Sequence, residues 1–225
     1  MPYDICLFDL DGTLTDPKIG ITKSFQHALF SFGINEELSD LVRFIGPPLR
    51  ESFRVTFGFS DSDVELAVAV FREYFATTGI FENIVYSGIP ELLQKLKDDG
   101  RILAVATSKA TFYSDQILKH FELYDYFDFI SGDEMDGSLT KNGKTEIIRI
   151  ALDNLDPGRK KSAIMIGDRK HDVLAARENG IDCIGDTWGY GSRDELETSG
   201  AKRIVDTTDE LFRIITETEE RDIEY

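Results

Sequence analysis

The chain has 225 residues, of which 41% are hydrophobic, so it is long enough to bury one good core and a small second lobe. Its formal net charge is −17, from 42 acidic and 25 basic residues, which argues against a nucleic acid or an anionic membrane surface as partner. The chain has no apolar stretch that would span a bilayer and no evident export signal, so we expect a cytoplasmic protein.

The first predicted element is a buried strand, an apolar run over Ile5–Phe8 that ends in Asp9-Leu10-Asp11-Gly12-Thr13-Leu14-Thr15. In a doubly wound parallel sheet, ligands bind outside the carboxyl ends of the strands, so Asp9 and Asp11 are expected to face a crevice. Two carboxylates that share a site need a cation, and hard oxygen ligands favour magnesium. Gly12 allows a sharp turn, with main-chain N–H groups left to face an anion.

The next segment is predicted to be helical, with no strand from residue 15 to about residue 81. Helices are expected near 21–32, 38–44 and 49–57, and a longer one is expected to begin after Ser60. A helical block directly after the first strand is too long for an ordinary crossover, which indicates an inserted lobe. We therefore expect a helical cap over residues 15–82 and an α/β core made of 1–14 and 83–225.

Strands and helices alternate after the predicted cap. We expect strands over 101–107, 128–131, 163–167, 182–185 and 203–205, and helices over 90–99, 111–121, 144–154, 171–179, 193–199 and from 208 onward. This order predicts a Rossmann-like doubly wound parallel sheet with helices on both faces. The acidic segment 216–225 is expected to fray, and Cys6 and Cys183 are expected to be buried in strands.

Further polar residues follow the later strands. Thr107, Ser108 and Lys109 end the second core strand, where hydroxyl and amine groups can bind phosphate oxygens. Lys144 opens the predicted helix near 144–154 and Lys141 lies three residues before it, and either cation could offset negative charge at the crevice. The strand over 163–167 is followed by two acids one helical turn apart, Asp168 and Asp172.

These four groups resemble, in order and position, the four motifs of the haloacid dehalogenase-like superfamily, and the inserted cap is similar to that of subclass I members such as phosphoglycolate phosphatase-like and nucleotidase-like proteins. The resemblance implies a magnesium-dependent phosphatase that acts on a small phosphorylated metabolite through an aspartyl phosphate. By this resemblance Asp9 is the nucleophile and Asp11 the acid and base, while Thr107 and Lys144 hold the phosphoryl group. Magnesium would be bound by Asp9, Asp168 and the backbone carbonyl of Asp11, with Asp172 supporting the site through water.

Several alternatives remain open at this stage. The same fold is compatible with a phosphomutase of the β-phosphoglucomutase type or a pyrophosphatase, whereas a dehalogenase would be expected to lack Asp11. A non-enzymatic phospho-receiver is a further alternative, but such a domain is smaller and has no inserted cap. In the cap, Arg50 is expected either to clamp the far end of a substrate or to pair with Glu51 or Glu73. The glycine-flanked aromatic segment 188–192 either lines the crevice or forms a packed turn. The chain is expected to be a monomer or a homodimer.

Overall fold

The computed structural model describes residues 3–141, 143–155 and 162–217, and its main feature is a six-stranded parallel sheet. In chain order the strands are β1 (Ile5–Phe8), β2 (Thr15–Asp16), β3 (Ile84–Val85), β4 (Ile102–Ala110), β5 (Phe129–Asp133), β6 (Ala163–Gly167), β7 (Asp182–Asp186) and β8 (Arg203–Val205). The main sheet has the order β5-β4-β1-β6-β7-β8, and β2 pairs with β3 in a separate antiparallel ribbon. The predicted α/β fold is confirmed.

The first strand of the chain lies at the centre of the sheet. All four residues of β1 are fully buried, which agrees with their continuous apolar sequence. Phe8 lies opposite Val105 of β4 on one side and Ile166 of β6 on the other. This register places the residues that follow β1 and β6 side by side at one edge of the sheet.

Ten α-helices lie within the described residues. They are α1 (Lys18–Ser31), α2 (Leu38–Leu41), α3 (Leu49–Phe57), α4 (Asp61–Phe75), α5 (Ile89–Asp98), α6 (Thr111–His120), α7 (Thr145–Asn154), α8 (Lys170–Glu178), α9 (Arg193–Ser199) and α10 (Thr208–Thr216). None of these helices is long and apolar enough to cross a membrane.

Helices α1 to α4 form the inserted segment between β2 and β3. Their contacts are rich in phenylalanine: the ring of Phe25 lies 5.0 Å from those of both Phe44 and Phe53, and 5.2 Å from that of Phe71. This aromatic cluster continues into the apolar side chains on one face of the main sheet, so the segment packs directly on the core. Cys6 and Cys183 are buried free thiols, as expected.

The ribbon of β2 and β3 corrects one expectation. No strand was predicted near residue 15, because two paired residues are too few to produce a periodic pattern. Asp16 pairs with Ile84, so the two chain segments that enter and leave the helical block are hydrogen-bonded to each other. We call this pair of strands the hinge ribbon. The expected fraying beyond residue 217 lies outside the described residues.

Candidate active site

Residues from three neighbouring strands meet at the carboxyl edge of the sheet. Asp9 follows β1 directly and Asp168 follows β6 directly, while Thr107 lies toward the end of β4 on the other side of β1. Parallel strands end at the same edge, so side chains far apart in sequence share one crevice. Asp9 and Thr107 line a cavity of about 730 Å³ that lies between the sheet edge and the inserted helices.

Lys144 is held between two buried carboxylates. Its Nζ lies 2.8 Å from Asp9 Oδ1 and 2.5 Å from Asp172 Oδ1. Lys144 immediately precedes α7, and its side chain is 2% exposed, which excludes water from both contacts. Burial by itself lowers the pKa of an amine, but Asp172 and Asp9 raise the pKa of Lys144 above its usual value. The side chain therefore remains a cation that can offset negative charge at Asp9.

The alternative lysine has a different environment. Lys141 is exposed and lines the cavity, and no ion pair joins it to Asp9 within the described part of the chain. Only Lys144 of the two contacts Asp9 and Asp172. The geometry thus favours Lys144 for the role of charge compensation.

Asp168 is the most crowded acid of the site. Its Oδ2 accepts a hydrogen bond from the Tyr190 backbone N–H at 2.7 Å, whereas its Oδ1 is buried with no hydrogen-bond partner among the described residues. Burial, together with the nearby carboxylates Asp172 and Asp9, raises the pKa of Asp168 to about 8. These three acids each offer an oxygen within 4.8 Å of the others.

Asp11 is not one of these three acids, and it forms an ion pair with Lys109. Its Oδ2 lies 2.9 Å from Lys109 Nζ, and its Oδ1 is buried with no hydrogen-bond partner in the described ranges. Burial raises the pKa of Asp11, although the Lys109 ammonium acts in the opposite direction. A carboxyl group with a raised pKa that borders the cavity is suited to gaining and losing a proton.

Lys109 has two contacts that the sequence did not predict. Its Nζ is paired with Asp11 and lies 4.4 Å from the centroid of the Phe75 ring. Lys109 also lines the cavity, and its expected role in binding phosphate stays a prediction. Thr107 and Ser108 line the same cavity, and the Thr107 hydroxyl accepts a weak hydrogen bond from the Lys109 N–H at 3.3 Å.

Arg50 differs from expectation in its acidic partner. Its guanidinium forms two hydrogen bonds to Glu65, at 2.7 and 2.8 Å, and pairs with neither Glu51 nor Glu73. It also lines the cavity, and its contact with a substrate stays a prediction. Glu65 lies on α4, too far along the sequence for the pairing to be evident from helical spacing. The bidentate geometry is the one arginine favours with a carboxylate.

Gly12 has no side chain, which allows it to lie close to Asp168. Its φ is +96°, and a Cβ at this position would lie 2.4 Å from Asp168 Oδ2, so only glycine lets the two segments approach this closely. Its N–H donates to Thr15 O at 2.8 Å and is therefore already engaged, contrary to the expectation that it faces an anion. The nearby Leu10 N–H donates to Asp9 Oδ1 at 2.7 Å.

Two features of the site were missed or undervalued in the sequence. Asp186, fully buried at the end of β7, accepts a hydrogen bond from Thr13 Oγ1 at 2.8 Å, and the rule that located Asp9 at a strand end would have identified it. Segment 188–192 contacts the acids directly, since Tyr190 donates to Asp168 and the Trp188 indole donates to Thr13 O at 3.0 Å. Both roles proposed for this segment are compatible with these contacts.

The site has the features expected of a divalent metal site. One carboxylate oxygen of Asp168 is buried and has no partner among the described residues, and several acids have raised pKa values. A bound cation would stabilise this arrangement. All the donors are hard oxygens, which suits magnesium. Asp9, Asp168 and Asp172 each offer an oxygen to such a cation, and Lys144 contacts both Asp9 and Asp172.

Comparisons with known proteins agree with this geometry. The family model described as haloacid dehalogenase-like hydrolase matches residues 6–185. A protein of Pseudomonas aeruginosa named 5'-nucleotidase is 48% identical over 195 residues, which cover 86% of this chain and 87% of that protein. The tyrosine-protein kinase PtkA of Mycobacterium tuberculosis is 38% identical over 210 residues, or 92% of this chain and 70% of that protein.

A solved structure is equally similar. The crystal structure of a predicted phosphatase from Clostridium acetobutylicum superposes with a TM-score of 0.89 at 47% identity, and the match covers 95% of this chain and 98% of that one. Agreement over nearly the full length extends to the inserted helices as well as to the sheet.

Proposed function

The chain belongs to the haloacid dehalogenase-like hydrolase family and is a phosphatase, and we propose that it hydrolyses a small phosphate monoester through an aspartyl phosphate on Asp9, with Mg²⁺ as cofactor. The observation that carries the proposal is the contact of Lys144 with Asp9 at the floor of the cavity. A buried carboxylate repels a phosphate dianion, and the lysine between Asp9 and Asp172 offsets this repulsion.

In the first step, a carboxylate oxygen of Asp9 attacks phosphorus while the bond to the leaving oxygen breaks. The Thr107 hydroxyl and the Lys144 ammonium bind the phosphoryl oxygens and hold phosphorus in line with Asp9. The covalent intermediate replaces one displacement with two steps, each with a lower barrier. The bound metal, held by Asp9, Asp168 and the backbone carbonyl of Asp11, would neutralise charge on the phosphoryl oxygens.

Asp11 moves the proton in both steps. Because its pKa is raised by burial, it can be protonated when substrate binds and can donate that proton to the leaving oxygen. In the second step it removes a proton from water, whose oxygen attacks phosphorus and breaks the bond to Asp9. Lys109, in contact with Asp11, limits how far burial raises the pKa and keeps the carboxylate accessible for this return step.

For the substrate, we propose a nucleoside 5'-monophosphate as the first class to test and phosphoglycolate as the second. The 48% identical relative named 5'-nucleotidase supports the first class, as does a cavity of about 730 Å³, which exceeds the size of glycolate. Residues 15–82 would act as the cap that excludes water and selects the leaving group. The cytoplasmic location, and the choice between monomer and homodimer, stay predictions.

The test is phosphate release from a panel of AMP, phosphoglycolate, pyrophosphate and p-nitrophenyl phosphate by wild-type protein and by Asp9→Asn. We expect Asp9→Asn to be folded and inactive, because an amide has similar volume and is a poor nucleophile. Asp182→Asn is the matched control, since Asp182 begins β7 at the opposite edge of the sheet and its ion pair with Lys202 is exposed. Equal activity of Asp9→Asn and wild type would refute the assignment of Asp9 as the nucleophile.

The same panel separates the alternatives. A phosphomutase would isomerise a sugar phosphate with little free phosphate, a pyrophosphatase would prefer pyrophosphate, and a phospho-receiver would retain a long-lived phosphorylated Asp9 without turnover. Any of these results in place of monoester hydrolysis would contradict the proposal.

A further inference from the structure

The loop over residues 188–191 packs against Asp168, one of the three acids of the cluster formed with Asp9 and Asp172. A Cβ on Gly189 would lie 2.4 Å from both Asp168 Cβ and Gly12 O, and one on Gly191 would lie 1.8 Å from Asp168 O. Both positions accept only glycine without a shift of backbone. The loop is therefore packed closely against Asp168.

Tyr190, between these glycines, makes contacts in two directions. Its backbone N–H donates to Asp168 Oδ2 at 2.7 Å, which leaves Asp168 Oδ1 as the oxygen with no described partner. Its phenol donates a hydrogen bond to Asp16 Oδ1, and it also interacts with the phenol of Tyr86. One residue thus connects the acid cluster to both chain segments of the hinge ribbon.

The partners of the phenol are the residues through which the helical block joins the core. Asp16 belongs to β2, and its Oδ1 also accepts the Lys18 N–H at 2.9 Å, at the start of α1. Tyr86 follows β3, and its N–H donates to Leu14 O at 3.1 Å. A rotation of the helical block about the ribbon would move these groups relative to Tyr190.

We propose that Tyr190 is a positioning residue that fixes the orientation of Asp168 according to the arrangement of the hinge ribbon. The inference rests on the proposed function and links the position of the cap to the orientation of the Asp168 carboxylate. With the ribbon as described, the loop holds Asp168 Oδ2 and leaves the buried Oδ1 without a partner among the described residues. When the ribbon shifts, the phenol loses Asp16 and the backbone N–H of Tyr190 moves with it.

The experiment compares Tyr190→Phe with a matched control, Tyr74→Phe. Both changes remove one phenol hydroxyl that donates to a carboxylate, since Tyr74 donates to Glu82 at 2.9 Å on the outer side of the helical block, away from Asp168. Asp16→Asn tests the same bond from the other partner. The readouts are Mn²⁺ affinity without substrate, by the loss of the free Mn²⁺ electron paramagnetic resonance signal, and kcat and KM for p-nitrophenyl phosphate.

We expect Tyr190→Phe to weaken Mn²⁺ binding about tenfold, the lower end of the range for residues that orient metal ligands, because the backbone N–H remains. The kcat should fall by a similar factor while KM stays within about twofold, and Asp16→Asn should change both in the same direction. Tyr74→Phe should leave all three values unchanged within about twofold.

The positioning role is overturned if Tyr190→Phe and Asp16→Asn bind Mn²⁺ like wild type, or if Tyr74→Phe weakens binding equally, which would indicate a general loss of packing. A wild-type protein that hydrolyses no phosphate ester would instead refute the proposed function. The two failures are thus separate observations.

Discussion

Gly12→Ala is the substitution whose effect follows most directly from the coordinates. The new Cβ would lie 2.4 Å from Asp168 Oδ2, so one of the two groups must move by at least ~1 Å to reach the ~3.5 Å of an ordinary contact. The φ of +96° adds strain of about 1–2 kcal/mol for a residue with a side chain. A displacement of about 1 Å in a positioned catalytic group is enough to lower the rate about 100-fold.

Gly200→Ala measures the backbone strain without the steric clash. Gly200 has a nearly equal φ of +92°, but nothing lies within 4 Å of its Cβ position, at the end of α9. Both variants should therefore lose about 1–2 kcal/mol, or roughly 2–8 °C in Tm, from backbone strain. Gly12→Ala should lose more stability than this and about 100-fold in kcat/KM for p-nitrophenyl phosphate, while Gly200→Ala keeps its activity.

The measurements are kcat/KM at saturating Mg²⁺ and thermal unfolding of both variants. If Gly12→Ala retains activity within about threefold of wild type, or if Gly200→Ala loses as much, the close approach of Gly12 to Asp168 is not what the reaction requires.

Three further outcomes are expected. Lys144→Met should lose about 3–5 kcal/mol in denaturant unfolding, because two buried carboxylates lose their cation; a loss below 1 kcal/mol would contradict the pairing. EDTA should abolish phosphate release and Mg²⁺ should restore it, so full activity in metal-free buffer would disprove the requirement. Burial raises the pKa of Cys6 to about 12, so native protein at pH 8 should react with iodoacetamide far more slowly than unfolded protein. Stability should also fall above about pH 9, where only the unfolded chain releases thiol protons; rapid native labelling would refute this.

The sequence was informative about the sheet because its strands are long, apolar and ended by polar residues. Ile5–Phe8 and Ala163–Gly167 have the predicted bounds, and their burial leaves little choice of structure. The strand β4 extends to Ala110, three residues beyond its predicted end, because an irregularity after Ala106 lets polar residues continue the pairing with β5.

Most of the candidate site residues were predictable from the sequence, but their pairings were not. Lys109 on β4 pairs with Asp11 after β1, and Arg50 on α3 pairs with Glu65 on α4, so each pair joins two elements whose side-chain distance has no periodic signature in the sequence. The same reason applies to Tyr190, whose phenol reaches Asp16, 174 positions away along the chain. Local patterns locate polar residues, whereas tertiary packing selects their partners.

The central position of β1 affects when its pairing can form during synthesis. Its two neighbours in the sheet begin at Ile102 and Ala163, so β1 cannot pair on both sides until β6 has been made. Helices α1 to α4, which are built from contacts closer in sequence, can form during this interval. Until β6 follows, the four apolar residues of β1 lack one of their partners, and exposed apolar surface of this kind favours aggregation of a nascent chain.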